Sequence, residues 1–243
     1  QIMAGESIKV AVESHRVNMP LCMGSLYWQL NDCWPGASWS SLDYFGNWKA
    51  LHYYAKHFFS PLLICTSAND DTLSFSIVND NDDIKNSEFL IQLIDFNGNI
   101  LNKHQLYVDI NSNSSNEVFS CKISNILENH DKNNVILRSN IIYEGKTISS
   151  NDYFFVKPKE LALPKQDYSI KLEKIENNHI IEIESKSFLY RFYMICCNDS
   201  GVFSDNYFNM LPGQKRKIVF SPSNENNQNF NLEFDFNSIQ GLS

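Results

Sequence analysis

Four neighbouring side chains near the start of this 243-residue chain could together bind a polyhydroxylated ligand. Trp28 supplies an aromatic face, Gln29 and Asn31 supply amides, and Asp32 supplies a carboxylate. A sugar ring offers apolar C–H faces to an indole and hydroxyl groups to amides and carboxylates, so these residue types suit a carbohydrate. The structural alternative is that Trp28 is a core residue and that Asp32 is a turn residue tied to backbone amides.

The sequence around these residues predicts a strand between two helices. Apolar side chains recur at helical spacing over residues 4–15, and Asn18-Met19-Pro20 is expected to end that helix. Residues 21–30 are almost continuously apolar, which is typical of a strand buried on both faces of a parallel sheet. A second helix is expected to begin at about Asn47 and to end before Ser60-Pro61.

This order fits one unit of a (β/α)8 barrel, but a complete barrel needs about 250 residues. The neighbouring strands would therefore have to come from outside this chain. In such barrels the active site lies at the carboxyl ends of the strands, which is where Trp28, Gln29, Asn31 and Asp32 would lie.

From Leu62 onward the hydrophobic period changes to two. Leu73, Phe75 and Ile77 alternate with serines, and Asn97-Gly98 is a strong hairpin signal. A proline-containing linker, KPKELALPK, interrupts this pattern before alternation resumes and continues to NFNLEFDF near the end. Short alternating strands of this kind predict two antiparallel β-sandwiches. We therefore expect three parts: residues 1–61, 62–160 and 161–243.

Composition excludes several classes of function. The net charge of −8 disfavours nucleic acid and anionic membranes as partners, and no apolar run is long enough to span a bilayer. The six cysteines have no zinc-site spacing and are interpreted as small buried side chains. His52 and His57 are five residues apart and do not share a helical face, so we expect no metal and no cofactor.

Three segments resemble the β-mannosidases of glycoside hydrolase family 2. GSLYWQLNDCWPGASWSSLDYFGNWKALHYYAKHFFSP, residues 24–61, resembles the last strand and last helix of their catalytic barrel. FFVKPKELALPK resembles the junction between the two sandwich domains that follow that barrel. GVFSDNYFNMLPGQKRKIVF resembles part of their final immunoglobulin-like domain. The fold implied is a helix-strand-helix remnant of a (β/α)8 barrel followed by two immunoglobulin-like antiparallel β-sandwiches.

The resemblance implies the C-terminal part of a retaining exo-β-mannosidase that removes non-reducing terminal β-mannose from glycans. Both catalytic carboxylates of such an enzyme would precede Gln1, so no residue here matches them and the isolated chain is expected to be inactive. Trp28 matches a tryptophan of the sugar-binding floor and Asp32 an acidic position just beyond it, with Asn31 and Gln29 as further substrate-binding candidates. The expected partners are a β-mannoside glycan and the rest of the parent barrel. A periplasmic, secreted or lysosomal location is implied by the family.

Two other classes of function stay open at this stage. The sandwiches could form a carbohydrate-binding module, with Tyr143, Tyr153, Phe203 and Tyr207 as candidate contacts, or they could have a purely structural role. The alternative enzymes are a β-galactosidase or a β-glucuronidase of the same family. Trp34, Trp39 and Trp48 are expected to pack at the end of the barrel.

Overall fold

A computed structural model describes residues 1–223 and 232–242 of the chain. Two helices, α1 (Ile2–Val17) and α2 (Ala50–Phe58), occupy the first 60 residues and pack against each other. Their shared apolar cluster is formed mainly by Val12 of α1 and by Leu51, Tyr54 and Phe58 of α2. Both helices were predicted, although α2 begins three residues later than Asn47.

The predicted strand of residues 21–30 does not form. The segment has no regular secondary structure and bends at Trp28 and Leu30, and the one bridge at its end pairs Asn31 with Leu42 in parallel. A strand needs hydrogen-bonded neighbours, and nothing in residues 1–223 or 232–242 lies alongside this segment as a strand. The barrel remnant is therefore visible as two helices joined by a connection that forms no regular strand.

The first sandwich is a three-stranded sheet of order β1-β2-β5 facing a four-stranded sheet of order β4-β3-β6-β7. All pairings are antiparallel, and Leu73, Phe75 and Ile77 lie in its core as their alternation predicts. Gly98, at φ 90°, lies in the predicted turn between β3 and β4. The elements are β1 (Leu62–Asn69), β2 (Thr72–Asn79), β3 (Ile84–Asp95), β4 (Ile100–Ile110), β5 (Ser114–Lys122), α3 (Ile123–Leu127), β6 (Val135–Tyr143) and β7 (Lys146–Tyr153).

The second sandwich pairs a four-stranded sheet of order β11-β13-β9-β8 with a three-stranded sheet of order β12-β10-β14. Its strands are β8 (Tyr168–Ile175), β9 (Asn178–Ser185), β10 (Leu189–Cys196), β11 (Gly201–Phe203), β12 (Phe208–Met210), β13 (Lys215–Pro222) and β14 (Phe234–Asn237). The predicted NFNLEFDF strand spans residues 229–236. Its first three residues lie outside the described residues, and β14 includes only its last three, residues 234–236.

A third apolar cluster lies between the two sandwiches. Phe188 is fully buried there and stacks on Phe96, with ring centroids 4.3 Å apart and planes 2° from parallel. Nearby, Asp152 of β7 accepts hydrogen bonds from Arg138 of β6 and from Asn209 of β12, at 2.7 Å and 3.0 Å. Apolar and polar contacts thus join the sandwiches directly.

Candidate functional site

A buried ion pair organises the loop between the two helices. One carboxylate oxygen of Asp32 lies 2.7 Å from the Lys49 ammonium, and the other accepts a hydrogen bond from the Ser38 hydroxyl. Lys49 also donates to the Ser40 hydroxyl at 2.7 Å. Both charged side chains are almost completely buried. Because each charge has hydrogen-bonded partners, the cost of removing the pair from water is offset.

Backbone hydrogen bonds place this ion pair at the start of α2. The amide of Leu42 donates to the Leu30 carbonyl at 2.7 Å, and the amide of Asp32 donates to the Leu42 carbonyl at 3.2 Å. The amide of Lys49 donates to the Ser41 carbonyl at 2.9 Å, directly before α2 begins. Residues 30–32, 41–42 and 49 are therefore held together as one unit.

The ion pair shifts the acidity of Asp32. Its hydrogen bond with Lys49 is the main cause that lowers the pKa of the carboxyl below its ordinary value of 3.8, and the bond from Ser38 adds to this. Asp32 is therefore an anion at neutral pH. Burial lowers the pKa of the neighbouring His52, whose Nδ1 lies 3.0 Å from the Ser41 hydroxyl.

Nine large aromatic and aliphatic side chains of the segment between the two helices are exposed. We call this set the barrel-end surface and define it by the exposed residues Leu21, Met23, Leu26, Trp28, Leu30, Trp34, Trp39, Tyr44 and Phe45. Leu26 is fully exposed, Trp28 is 77% exposed and Trp34 is 74% exposed. Monomeric soluble proteins seldom expose so many large apolar side chains together, and such surfaces mark binding or packing sites.

The structure divides the four predicted site residues into two groups. Trp28 and Asn31 are exposed and Gln29 is half-buried, so these three side chains are accessible to a ligand. The peptide bond between Trp28 and Gln29 is cis. Asp32 instead lies beneath the surface with both oxygens engaged.

Three polar residues of this site were missed in the sequence: Ser38, Ser40 and Lys49. In the sequence they belong to a group of serines and a lysine that precede an apolar helix. This pattern is too common to indicate a site by itself. Among the other tryptophans, Trp48 packs on His52 and Tyr53 with centroid distances of 4.3 Å and 5.2 Å. Trp34 and Trp39, which were also expected to pack, lie on the exposed surface.

Further observations concern metal binding and membrane insertion by the described residues. Within residues 1–223 and 232–242, no cluster of three or more His, Cys, Asp or Glu side chains is suited to holding a metal ion. His57 lies 2.9 Å from Asp205 of the second sandwich, and His52 contacts Ser41. None of the helices described has the length and apolarity needed to cross a bilayer.

Comparisons with known proteins agree with this architecture. Residues 71–160 match the family model described as the mannosidase Ig/CBM-like domain, and residues 163–240 match a second model, the Ig-fold domain named Ig_mannosidase. Together the two models match well over half of the chain. The sequence is also 26% identical over 220 residues to β-mannosidase A of Aspergillus oryzae, covering 84% of this chain and 24% of that protein.

Residues 71–160 and 163–240 thus belong to the two Ig-like domain families that these mannosidase models describe. The goat enzyme, a β-mannosidase of Capra hircus, is 26% identical over 255 residues, covering 91% of this chain and 27% of that protein. The crystal structure of β-D-mannosidase from Dictyoglomus thermophilum aligns over 97% of this chain and 28% of its own, with a TM-score of 0.79 and 27% identity. The chain thus spans about a quarter of the length of the β-mannosidases it matches.

Proposed function

We propose that this chain is the C-terminal portion of a retaining exo-β-mannosidase that hydrolyses terminal β-D-mannose. Residues 1–61 would complete the catalytic barrel, and residues 62–160 and 161–243 would form its two accessory sandwiches. The observation that carries the proposal is the barrel-end surface, because a run of apolar residues that should be buried is exposed next to a fully hydrogen-bonded polar core. The family matches support this assignment.

The remainder of the parent barrel is the proposed partner of the barrel-end surface. Leu21, Met23 and Leu30 would pair with and pack against barrel elements contributed by the longer chain. The length of the present chain is consistent with such a partner, since the chain spans about a quarter of the length of its relatives. Both catalytic carboxylates would come from that remainder, about 5 Å apart as retention requires.

Within the completed site, the roles of the four candidates differ. We assign Trp28 to stacking against the sugar ring, and Gln29 and Asn31 to hydrogen bonds with its hydroxyl groups. We keep Asp32 in the site as a positioning residue, because its carboxylate already binds Lys49 and Ser38. Asp32 would act by fixing the path of the chain that presents Trp28.

A second candidate function is a carbohydrate-binding module that contacts sugars through the four aromatic residues named above, Tyr143, Tyr153, Phe203 and Tyr207. This function has weaker support. Phe203 is buried, and Tyr207 stacks on Tyr193 with centroids 5.6 Å apart. Tyr153 packs on Phe155 at 5.3 Å, and Tyr143 is only partly exposed. These contacts leave no continuous aromatic platform among the four residues.

A panel of aryl β-glycosides tests the proposed activity and the choice of sugar. The complete polypeptide that contains this chain should hydrolyse 4-nitrophenyl β-mannoside with retention of configuration, whereas residues 1–243 alone should not. Preference for the β-galactoside or β-glucuronide would favour the alternative enzymes. Turnover by purified residues 1–243 would refute the assignment of both carboxylates to another part of the protein.

A further inference from the structure

A large groove of mixed polar and apolar lining lies between the helices and both sandwiches, and it shares no residue with the barrel-end surface. Its volume is about 780 Å³. The outer face of the β3-β6-β7 region forms one side, with Tyr54 of α2 and Tyr207 of the second sandwich among the residues around it. This volume lies within the range of small-molecule sites, which are often found at domain interfaces.

The charges in this groove are compensated. Each of the five Lys and Arg side chains lining it lies within 3.4 Å of a carboxylate. Arg138 faces Asp152 at 2.7 Å, and Arg216 faces Asp205 at 3.0 Å. A phosphate group would need free cations and a metal ion would need free carboxylates. The groove therefore suits a neutral ligand.

Gln92, Asn140 and Ser150 are three of the neutral polar side chains in the groove that have no hydrogen-bond partner among the described residues. They project from one face of the sheet. Asn140 is directly opposite Ser150 in the β6-β7 pairing, and Gln92 is opposite Arg138, two residues before Asn140. Side chains in these relations have Cβ atoms about 5–8 Å apart. Two amides and a hydroxyl are thus presented together with unused donors and acceptors.

We propose that this groove is a second binding site, for a neutral oligosaccharide. The amides of Gln92 and Asn140 and the hydroxyl of Ser150 bind sugar hydroxyl groups. Because no residue of the barrel-end surface lines the groove, binding here is separate from the proposed catalysis. The site would hold a glycan at a distance from the point of cleavage.

Titration of residues 1–243 with β-1,4-linked mannotetraose tests this proposal, using calorimetry together with amide chemical shifts. We expect a dissociation constant of about 1 mM, which is what two or three net hydrogen bonds would give. Asn140→Ala and Ser150→Ala should each weaken it about fivefold. Gln105→Ala is the matched control: Gln105 is exposed on β4 and lies opposite Leu90, in the same cross-strand row as Asn140 but outside the groove.

Several results would overturn the proposal. Absence of heat and of shift changes with both mannotetraose and cellotetraose would remove it. So would binding that Asn140→Ala and Ser150→Ala leave unchanged. Saturable binding of inorganic phosphate at the same residues would contradict the inference that the ligand is neutral. Equal affinity for the two tetraoses would support the neutral-oligosaccharide class. These outcomes do not depend on hydrolysis, so they are distinguishable from failure of the proposed enzyme activity.

Discussion

At the scale of single residues, the pairing of Asp32 with Lys49 explains how the loop between the helices keeps its shape. The two residues are 17 positions apart, and their contact closes the loop that carries Trp34 and Trp39. Both side chains are almost completely buried, so removal of one partner leaves the other charge with little access to water. Substitution of Asp32 or Lys49 therefore tests the site more specifically than substitution of an exposed polar residue.

Replacing Asp32 by Asn should destabilise the loop, because the Lys49 ammonium would remain buried without its counter-charge. Lys49→Met should have a similar effect. We expect a lower midpoint of thermal unfolding, followed by intrinsic tryptophan fluorescence. Asp167→Asn is the control, since the Asp167–Lys186 pair is exposed at 3.8 Å and should contribute little. Equal midpoints for Asp32→Asn and the control would contradict the structural role.

The acidity of Asp32 predicts a pH dependence of the same contact. Its pKa in the folded protein is below the ordinary 3.8, so the unfolded chain binds the proton more readily. The stabilising contribution is fully present above that ordinary value and is lost as the pH falls through the lowered pKa. The difference in thermal midpoint between wild type and Asp32→Asn should shrink in acid. A constant difference down to the lowest accessible pH would be inconsistent with this pairing.

Sequence reasoning could select these residues but could not assign their contacts. Trp28 and Asn31 were singled out by residue type, and both are accessible. The burial of Asp32 depends on Lys49, and no local pattern links residues that far apart. Long-range side-chain pairing is decided by the tertiary path of the loop, which periodicity does not encode.

At the scale of elements, the close approach of α1 to α2 depends on a glycine. A Cβ atom at Gly5 would lie 2.8 Å from Cδ2 of the buried Tyr54 ring. Tyr54 also donates a hydrogen bond to Glu6 at 2.8 Å, and its hydroxyl pKa is raised by burial. The ring is therefore held in place and cannot easily move aside.

Gly5→Val should reduce the free energy of unfolding by about 1–3 kcal/mol, since the added side chain overpacks this contact. Urea denaturation measures the loss. Gly24→Val is a matched control, because a Cβ at Gly24 has no heavy atom within 4 Å. The same loss in both variants would show that the helix contact is not the cause.

Elements with local sequence signals, such as hairpin turns, were predicted correctly. The predicted strand that lacks a neighbouring strand was not. The hairpin at Asn97-Gly98 was confirmed because its turn residues and alternating flanks lie within one short window. Residues 21–30 were predicted as a strand from their nearly continuous apolar character. A strand also requires neighbours, and the described residues provide only the bridge to Leu42.

At the scale of the whole molecule, the two sandwiches are joined by a buried aromatic contact as well as by polar ones. Phe188→Ala would remove the ring that stacks on Phe96 and should cost about 3–5 kcal/mol. Because that contact couples the sandwiches, calorimetry should show a broadened or divided transition. Tyr107→Ala, at a residue 64% exposed, should leave the transition unchanged. A single sharp transition in Phe188→Ala would argue against this coupling.

The barrel-end surface is proposed to be part of a mannoside-hydrolysing site. The most direct measurement is kcat/KM for 4-nitrophenyl β-mannoside in the complete polypeptide, comparing wild type with Trp28→Ala and with the exposed control Tyr107→Ala. We predict a loss of about tenfold to a hundredfold in Trp28→Ala, with thermal stability and the control unchanged. Full activity in the Trp28→Ala enzyme would contradict the proposed site.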